Sequence, residues 1–212
     1  IRNPLGTIKG FVQLAGEKAA EDTAALLAPA LEEIRRLERL VNDLLLYGRP
    51  PSPQLRAIEW APLAGELETH ARQAIGEQPV ELEIERGAWR FRTDPALLKQ
   101  ALLNLLRNAV EATAGMPGAA VRVRVQPHGA RGVAIAVEDN GVGLPASAPA
   151  RLFEPFYTTK SFGSGLGLAI TRRLAESMGG RLALTGATPR GARAELSFPH
   201  AALEHSNGNH PH

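Results

Sequence analysis

Residues 104–112, NLLRNAVEA, decide the fold of this 212-residue chain. They lie in a Leu- and Ala-rich run that follows Asp94 and Pro95, and the run predicts a long helix over residues 95–114. Asp94 is expected to cap this helix, with Pro95 in its first turn. Asn104, Asn108 and Glu111 are spaced at i, i+4 and i+7, which places them on one face of that helix. Taken alone, this polar stripe fits a solvated helix face as well as a binding site.

Two glycine-rich segments follow in the sequence. Residues 139–143, DNGVG, come directly after an apolar strand, where glycines let the backbone approach a ligand while the Asp139 carboxylate keeps its direction. A tight turn is the alternative reading, because Asn-Gly is a common turn pair. Residues 163–168, GSGLGL, end a loop and open a helix, a position where backbone amides bind anions. They match neither a P-loop nor a dinucleotide fingerprint.

The surrounding pattern predicts a mixed domain of helices and strands. Two further helices are predicted over residues 62–77 and 165–178, and residues 142–164 are predicted to form a long loop. The predicted strands cover residues 79–86, 89–93, 121–125, 132–138, 181–186 and 192–198.

The N-terminal region has a different pattern. Apolar residues recur every three or four positions over residues 5–19 and again over 27–44, which predicts a helical hairpin that pairs with a second copy. A proline-rich segment then marks a domain boundary. We therefore expect a hairpin at 1–48, a linker at 49–54, a second domain at 55–199 and a disordered polar tail at 200–212.

Composition excludes several classes of function. The 24 basic and 22 acidic residues leave a net charge of +2, too balanced for a nucleic-acid-binding surface despite a pI near 9.3. Without cysteine there is no disulfide framework and no thiolate zinc site. No apolar run reaches the ~20 residues that span a bilayer. The first residue, Ile1, suggests a piece of a longer protein.

In this order, the three segments resemble the N, G1 and G2 boxes of bacterial two-component sensor histidine kinases, within the gyrase, chaperone and histidine kinase ATPase superfamily. Residues 153–160, FEPFYTTK, resemble the F box of these kinases, and residues 1–5, IRNPL, resemble the end of their H box. The resemblance implies an α+β fold: a helical hairpin forming a dimeric four-helix bundle, then an α/β two-layer sandwich. It also puts the phosphoacceptor His and its acid/base Glu directly before Ile1, so the chain itself is not expected to become phosphorylated.

The resemblance implies roles for the residues of the first two segments. Asp139 would accept a hydrogen bond from the adenine amino group of ATP, and Gly141 and Gly143 would let the strand end lie against the base. Asn108 would bind Mg²⁺ through its amide oxygen. Asn104 would lie beside the triphosphate, where hydrolytic relatives carry a Glu that activates water; an amide cannot take that proton.

The same resemblance implies roles for the loop and for the hairpin. Glu111 would orient its neighbours, and Asn3 would orient a water that dephosphorylates the partner receiver domain. Lys160 would stabilise the transferred phosphoryl group. The implied phosphate-binding set in and after the loop is Thr159, Lys160, Gly163, Gly165, Leu166 and Gly167.

The resemblance predicts the cytoplasmic catalytic portion of a sensor histidine kinase, with ATP and Mg²⁺ as cofactors. Its expected partners are a second copy, bound through the hairpin, and the receiver domain of a response regulator. No nucleic acid is expected. Any membrane contact would come only through upstream segments, and whether the parent is an inner-membrane sensor stays open. Two alternatives stay open: a dimeric scaffold that binds nucleotide without kinase activity, and a hydrolytic ATPase of the same superfamily.

Overall fold

The computed structural model divides the chain into two units, residues 1–50 and 51–212. The described residues are 8, 10, 12, 15, 21–48, 52–76, 78–144, 150–158, 164–201 and 204–205.

The first unit is helical wherever it is described. Ile8, Gly10, Val12 and Ala15 have helical conformation, and helix α1 spans Glu21–Gly48. Within α1, Ile34 is buried, whereas Leu37 and Leu44, seven residues apart, remain exposed. The helix therefore presents an apolar stripe at heptad spacing. In the described parts of the chain, no helix combines the length and apolarity needed to cross a bilayer.

The second unit contains three helices and two sheets among its described residues. The helices are α2 (Trp60–Ile75), α3 (Pro95–Thr113) and α4 (Gly167–Ser177), with a short 3-10 turn at Ala150–Phe153. The strands are β1 (Arg56–Glu59), β2 (Val80–Ile84), β3 (Trp89–Thr93), β4 (Ala119–His128), β5 (Gly132–Asp139), β6 (Arg181–Gly186), β7 (Ala192–Phe198) and β8 (Glu204–His205).

The large sheet has the order β2-β4-β5-β7-β6, with β2 and β4 parallel and the other pairs antiparallel. On β4, Val121 and Val123 are buried while Arg122 is exposed, the alternation of a strand with one covered face. Helices α2, α3 and α4 pack against this sheet. Because paired residues of antiparallel strands share a face, Asp139, which pairs with Val121, lies on the buried face.

This architecture confirms the predicted α+β fold, a helical region followed by an α/β domain, but two strands were not predicted. β1 is only four residues long and mostly exposed, and it pairs with β3 far along the sequence. β8 lies in the segment predicted as a disordered tail, yet it pairs with the other edge of β3. Ala201 is also buried, and its carbonyl accepts a hydrogen bond from the Arg92 amide at 2.7 Å. Strand pairing uses main-chain groups, so the polar side chains gave no signal for it.

Candidate functional site

Helix α3 is fixed at its N-terminus by Asp94. One carboxylate oxygen, Oδ1, accepts hydrogen bonds from the amides of Ala96 and Leu97 at 2.9 and 3.1 Å, and the other accepts one from the Gln54 amide at 2.8 Å. Burial opposes ionisation of Asp94, but the three amides together with Arg56 outweigh it and lower the pKa of this carboxyl. Asp94 therefore caps α3 as the sequence predicts, and it also attaches the chain before β1 to this helix.

The polar stripe on α3 changes from buried to exposed along the helix. Asn104 is buried, Asn108 is half-buried and Glu111 is exposed. The Asn104 carbonyl oxygen accepts a hydrogen bond from Arg107 Nη2 at 3.1 Å. The solvated-face alternative therefore does not hold for Asn104, although it describes Glu111.

Asp139 ends β5 on the face of the sheet that the helices cover. Its Oδ1 accepts hydrogen bonds from the amide of Gly141 at 2.9 Å and from the amide of Ala192, at the start of β7, at 3.3 Å. Asp139 is 9% exposed. These two amides come from different segments, so the carboxylate has a fixed direction.

The turn after Asp139 packs directly on α3 and on the start of β7. A Cβ built on Gly141 would lie 2.4 Å from the Ala112 carbonyl oxygen, and this oxygen accepts a hydrogen bond from the Val142 amide at 3.1 Å. Gly143 has a φ of 79° and lies against Gly191. Glycine is thus required at residue 141 by the close approach of the helix end.

Asn140 is a structural residue of this turn that the sequence analysis did not single out. Its side chain accepts a hydrogen bond from the Ala120 amide and donates one to the Gly118 carbonyl, both at 2.8 Å. It therefore joins the turn to the start of β4. The Asn-Gly pair indicated a turn but not the segment to which the side chain would bind.

The third segment opens α4. Gly165 has a φ of 65°, and its carbonyl accepts a hydrogen bond from the Phe156 amide at 3.0 Å. A Cβ on Gly165 would lie 2.5 Å from the Phe156 carbonyl carbon, so no side chain fits there. Leu166 is fully buried, and its amide donates to the Ser164 hydroxyl at 3.3 Å. This hydrogen bond and the close approach of the two backbones hold Phe156 directly against Gly165.

Arg107 connects this third segment to α3, and the sequence analysis did not name it. A Cβ built on Gly167 would lie 3.7 Å from Arg107 Nη2, the same nitrogen that binds Asn104. The Asp139 turn reaches α3 at Ala112, and the start of α4 reaches it at Arg107. Helix α3 therefore brings the described parts of all three segments together.

Four predicted site residues lie outside the described residues: Asn3, Thr159, Lys160 and Gly163. Among the residues that are described, no group of three or more His, Cys, Asp or Glu side chains could hold a metal ion alone.

Comparison with known proteins agrees with this geometry. Residues 93–202 match the family of histidine kinase-, DNA gyrase B- and HSP90-like ATPases, and residues 1–53 match the His Kinase A (phospho-acceptor) domain. The crystal structure of full-length ShkA in complex with AMPPNP has a TM-score of 0.77 at 27% identity, over 95% of this chain and 44% of that chain.

Two curated relatives are histidine kinases. The signal transduction histidine-protein kinase AtoS of Escherichia coli (strain K12) is 31% identical over 202 residues, which cover 94% of this chain and 33% of AtoS. The sensor histidine kinase ZraS of Klebsiella oxytoca is 34% identical over 207 residues, which cover 94% of this chain and 44% of ZraS. The chain thus spans less than half the length of these relatives. With the ATPase match covering half of its residues, this chain belongs to the histidine kinase-, DNA gyrase B- and HSP90-like ATPase family and, within it, to the bacterial two-component sensor histidine kinases.

Proposed function

We propose that this chain is the catalytic portion of a sensor kinase that binds Mg-ATP and transfers the γ-phosphoryl group to a histidine, for relay to an aspartate of a response regulator. If residues 1–5 are the end of an H box, as their resemblance to it implies, that histidine would lie just before Ile1. The observation that carries the proposal is the oriented, buried Asp139 carboxylate beside a helix lined with Asn104 and Asn108. The AMPPNP bound to the similar ShkA supports ATP as the nucleotide.

Asp139 would recognise the adenine base. A carboxylate can only accept hydrogen bonds, so it pairs with the exocyclic amino group of adenine and rejects the carbonyl oxygen that guanine carries there. The two amides that fix its direction give this selection a defined geometry. Gly141 and Gly143 would leave the backbone of the turn open towards the base.

Asn108 would hold Mg²⁺ through its amide oxygen, a ligand type that hard cations prefer, with phosphate oxygens completing the coordination. Glu111, one turn further along the same face, would orient these groups. The ion would neutralise charge on the transferred phosphoryl group. The proposed phosphate-binding set is Thr159, Lys160, Gly163, Gly165, Leu166 and Gly167, with Lys160 also contacting the group in transfer.

Transfer rather than hydrolysis is favoured at Asn104. Its side chain is a buried amide whose oxygen already accepts a hydrogen bond from Arg107, and an amide cannot take a proton from water. The phosphoryl group would therefore remain available for a histidine acceptor. Asn3, in the H-box remnant, would orient a water for dephosphorylation of the receiver domain.

The proposed partners are a second copy of the chain and a receiver domain. The match to the phospho-acceptor domain and the exposed stripe of Leu37 and Leu44 on α1 support dimerisation through the hairpin. Docking of a response regulator on the same hairpin follows from the proposed relay, and a cytoplasmic position of this portion of the protein follows from it too.

Nucleotide binding by Asp139→Asn tests the adenine role, with Glu138→Gln, which changes the other face of the same strand, as the control. We expect Asp139→Asn to weaken ATP binding at least about 10-fold, because the amide nitrogen opposes the adenine amino group. Asn108→Ala should remove most of the gain in affinity that Mg²⁺ provides. Unchanged ATP affinity in Asp139→Asn would refute the adenine role.

Phosphoryl transfer is tested with the chain extended by His-Glu before Ile1 and labelled ATP. Acid-labile label should appear on the extended chain and not on a version extended by Gln-Glu. ATP binding without any label would support the scaffold alternative instead, and steady release of inorganic phosphate would support the hydrolytic ATPase.

A further inference from the structure

Arg107 lies at the junction of α3 and the start of α4. Its Nη2 donates to the buried Asn104 amide at 3.1 Å and lies 3.7 Å from the position of a Cβ on Gly167. The residue is half-buried. Its guanidinium is therefore held close to the N-terminus of α4, beside the polar face of α3.

The charge of Arg107 has no acidic partner among the residues that the structure describes. Glu111, the acidic residue one turn further along α3, is exposed. In the sequence, residues 145–149 and 159–163 contain no Asp or Glu, and the second run contains a lysine. The N-terminus of α4 also carries partial positive charge. A half-buried cation beside a positive helix end favours an anion at this point.

We infer that Arg107 binds the phosphate chain of ATP beyond the α-phosphate and also orients Asn104. This inference rests on the proposed function, which puts adenine at Asp139. The turn at Asp139 reaches α3 at Ala112, and Arg107 lies five residues earlier, about 7.5 Å along the helix axis. That offset puts the guanidinium next to the phosphates and away from the base.

The chemistry of both side chains fits this assignment. A guanidinium presents several N–H donors in one plane, so it can bind Asn104 with one and phosphate oxygens with others. Because the Asn104 oxygen accepts from Arg107, the amide nitrogen forms the other end of the group and acts as a donor. Arg107 thereby fixes the orientation of the Asn104 amide: the oxygen faces the guanidinium and the nitrogen faces away from it.

Affinities for AMP, ADP and ATP test the inference in the intact chain. Arg107→Met should weaken ADP and ATP binding about 10- to 100-fold and leave AMP binding within about twofold of wild type. Arg107→Lys keeps the charge and should recover part of the loss, whereas Arg107→Gln keeps a donor for Asn104 and should not. Lys99→Met is the matched control. Lys99 lies on the same helix, where it pairs with Glu66 at 2.6 Å, and the variant should bind all three nucleotides as wild type does.

An equal loss of AMP, ADP and ATP affinity in Arg107→Met would show a purely structural role and overturn the inference. So would unchanged affinity for all three nucleotides. Both results leave the proposed function standing as long as the wild-type chain binds ATP. If the wild-type chain binds no ATP, the proposed function fails and the inference fails with it.

Discussion

Gly141→Ala is the sharpest test of how the Asp139 turn is built. The added Cβ would meet three atoms of Ala112: the carbonyl oxygen at 2.4 Å, the carbonyl carbon at 2.6 Å and the Cβ at 2.9 Å. Two of these are backbone atoms in the last turn of α3, and no rotamer change can move them. The turn must retreat until the closest contact exceeds 3.0 Å.

The loss of folding free energy in Gly141→Ala follows from this displacement of the turn. A shift of about 0.6 Å stretches the 3.1 Å bond from the Val142 amide to the Ala112 carbonyl past about 3.5 Å and breaks it. Losing this bond costs about 1 kcal/mol, and overpacking adds about 1–3 kcal/mol, so we expect a total loss of about 2–4 kcal/mol. The 2.9 Å bond from the Gly141 amide to Asp139 moves with the turn, so ATP affinity should fall as well.

Urea unfolding and ATP titration measure both effects. Gly65→Ala is the control: Gly65 lies in α2 with nothing within 4 Å of a new Cβ, and the change should stabilise the chain by about 0.5–1 kcal/mol. Adding Ala112→Gly to Gly141→Ala removes the 2.9 Å contact but not the two backbone contacts. Full rescue by this double variant, or wild-type stability and affinity in Gly141→Ala, would refute the reasoning.

Two further predictions concern the scaffold around the site. Asp94→Ala should cost about 1–2 kcal/mol near pH 7 in urea unfolding, because α3 loses its cap. The pKa of Asp94 is lowered in the folded chain. Its contribution to the free energy of unfolding should therefore be present above the unfolded pKa of about 3.9 and disappear as the pH falls through the lowered folded pKa. A loss of stability in Asp94→Ala that stays constant down to about pH 2 would contradict this. Trp60→Phe should cost about 1–3 kcal/mol, since the fully buried indole donates to the Glu85 carbonyl at 2.6 Å; an unchanged urea midpoint would show that this bond contributes nothing.

Local signals predicted the elements that frame the site. The Asp94 cap and the proline after it mark the start of α3, alternation predicts β4, and a run of apolar residues predicts β5. β1 and β8 could not be predicted in this way. Each is short, and each exists because β3 offers it an edge for main-chain hydrogen bonds, a partner that lies far away in the sequence.

The site residues also divide into those that a local sequence pattern predicts and those that depend on a contact with a distant segment. The fixed order of the Asn face, the Asp-Gly turn and the glycine-rich loop was enough to name Asp139 and Asn104 as candidates. The part played by Asn140 depends on the backbone of Gly118 and Ala120, twenty residues away, and that of Arg107 depends on α4 starting beside α3. Sequence patterns identify local elements, but they do not show which elements come into contact, because such contacts form only when the elements pack together.

Helix α3 is the element on which these contacts converge, and this explains where its sequence is restricted. Its start binds the chain before β1 through Asp94 and Gln54, its middle meets α4 at Arg107, and its end meets the Asp139 turn at Ala112. Between these points its remaining faces carry buried Leu and Ala against the sheet and the neighbouring helices. A helix is rigid over this length, so a displacement at one contact shifts the others. The geometry of the Asp139 carboxylate and of the Asn face is therefore set together. A substitution that tilts α3 should reduce stability and the affinity for every nucleotide in parallel, whereas Arg107→Met should lower ADP and ATP affinity and spare AMP affinity.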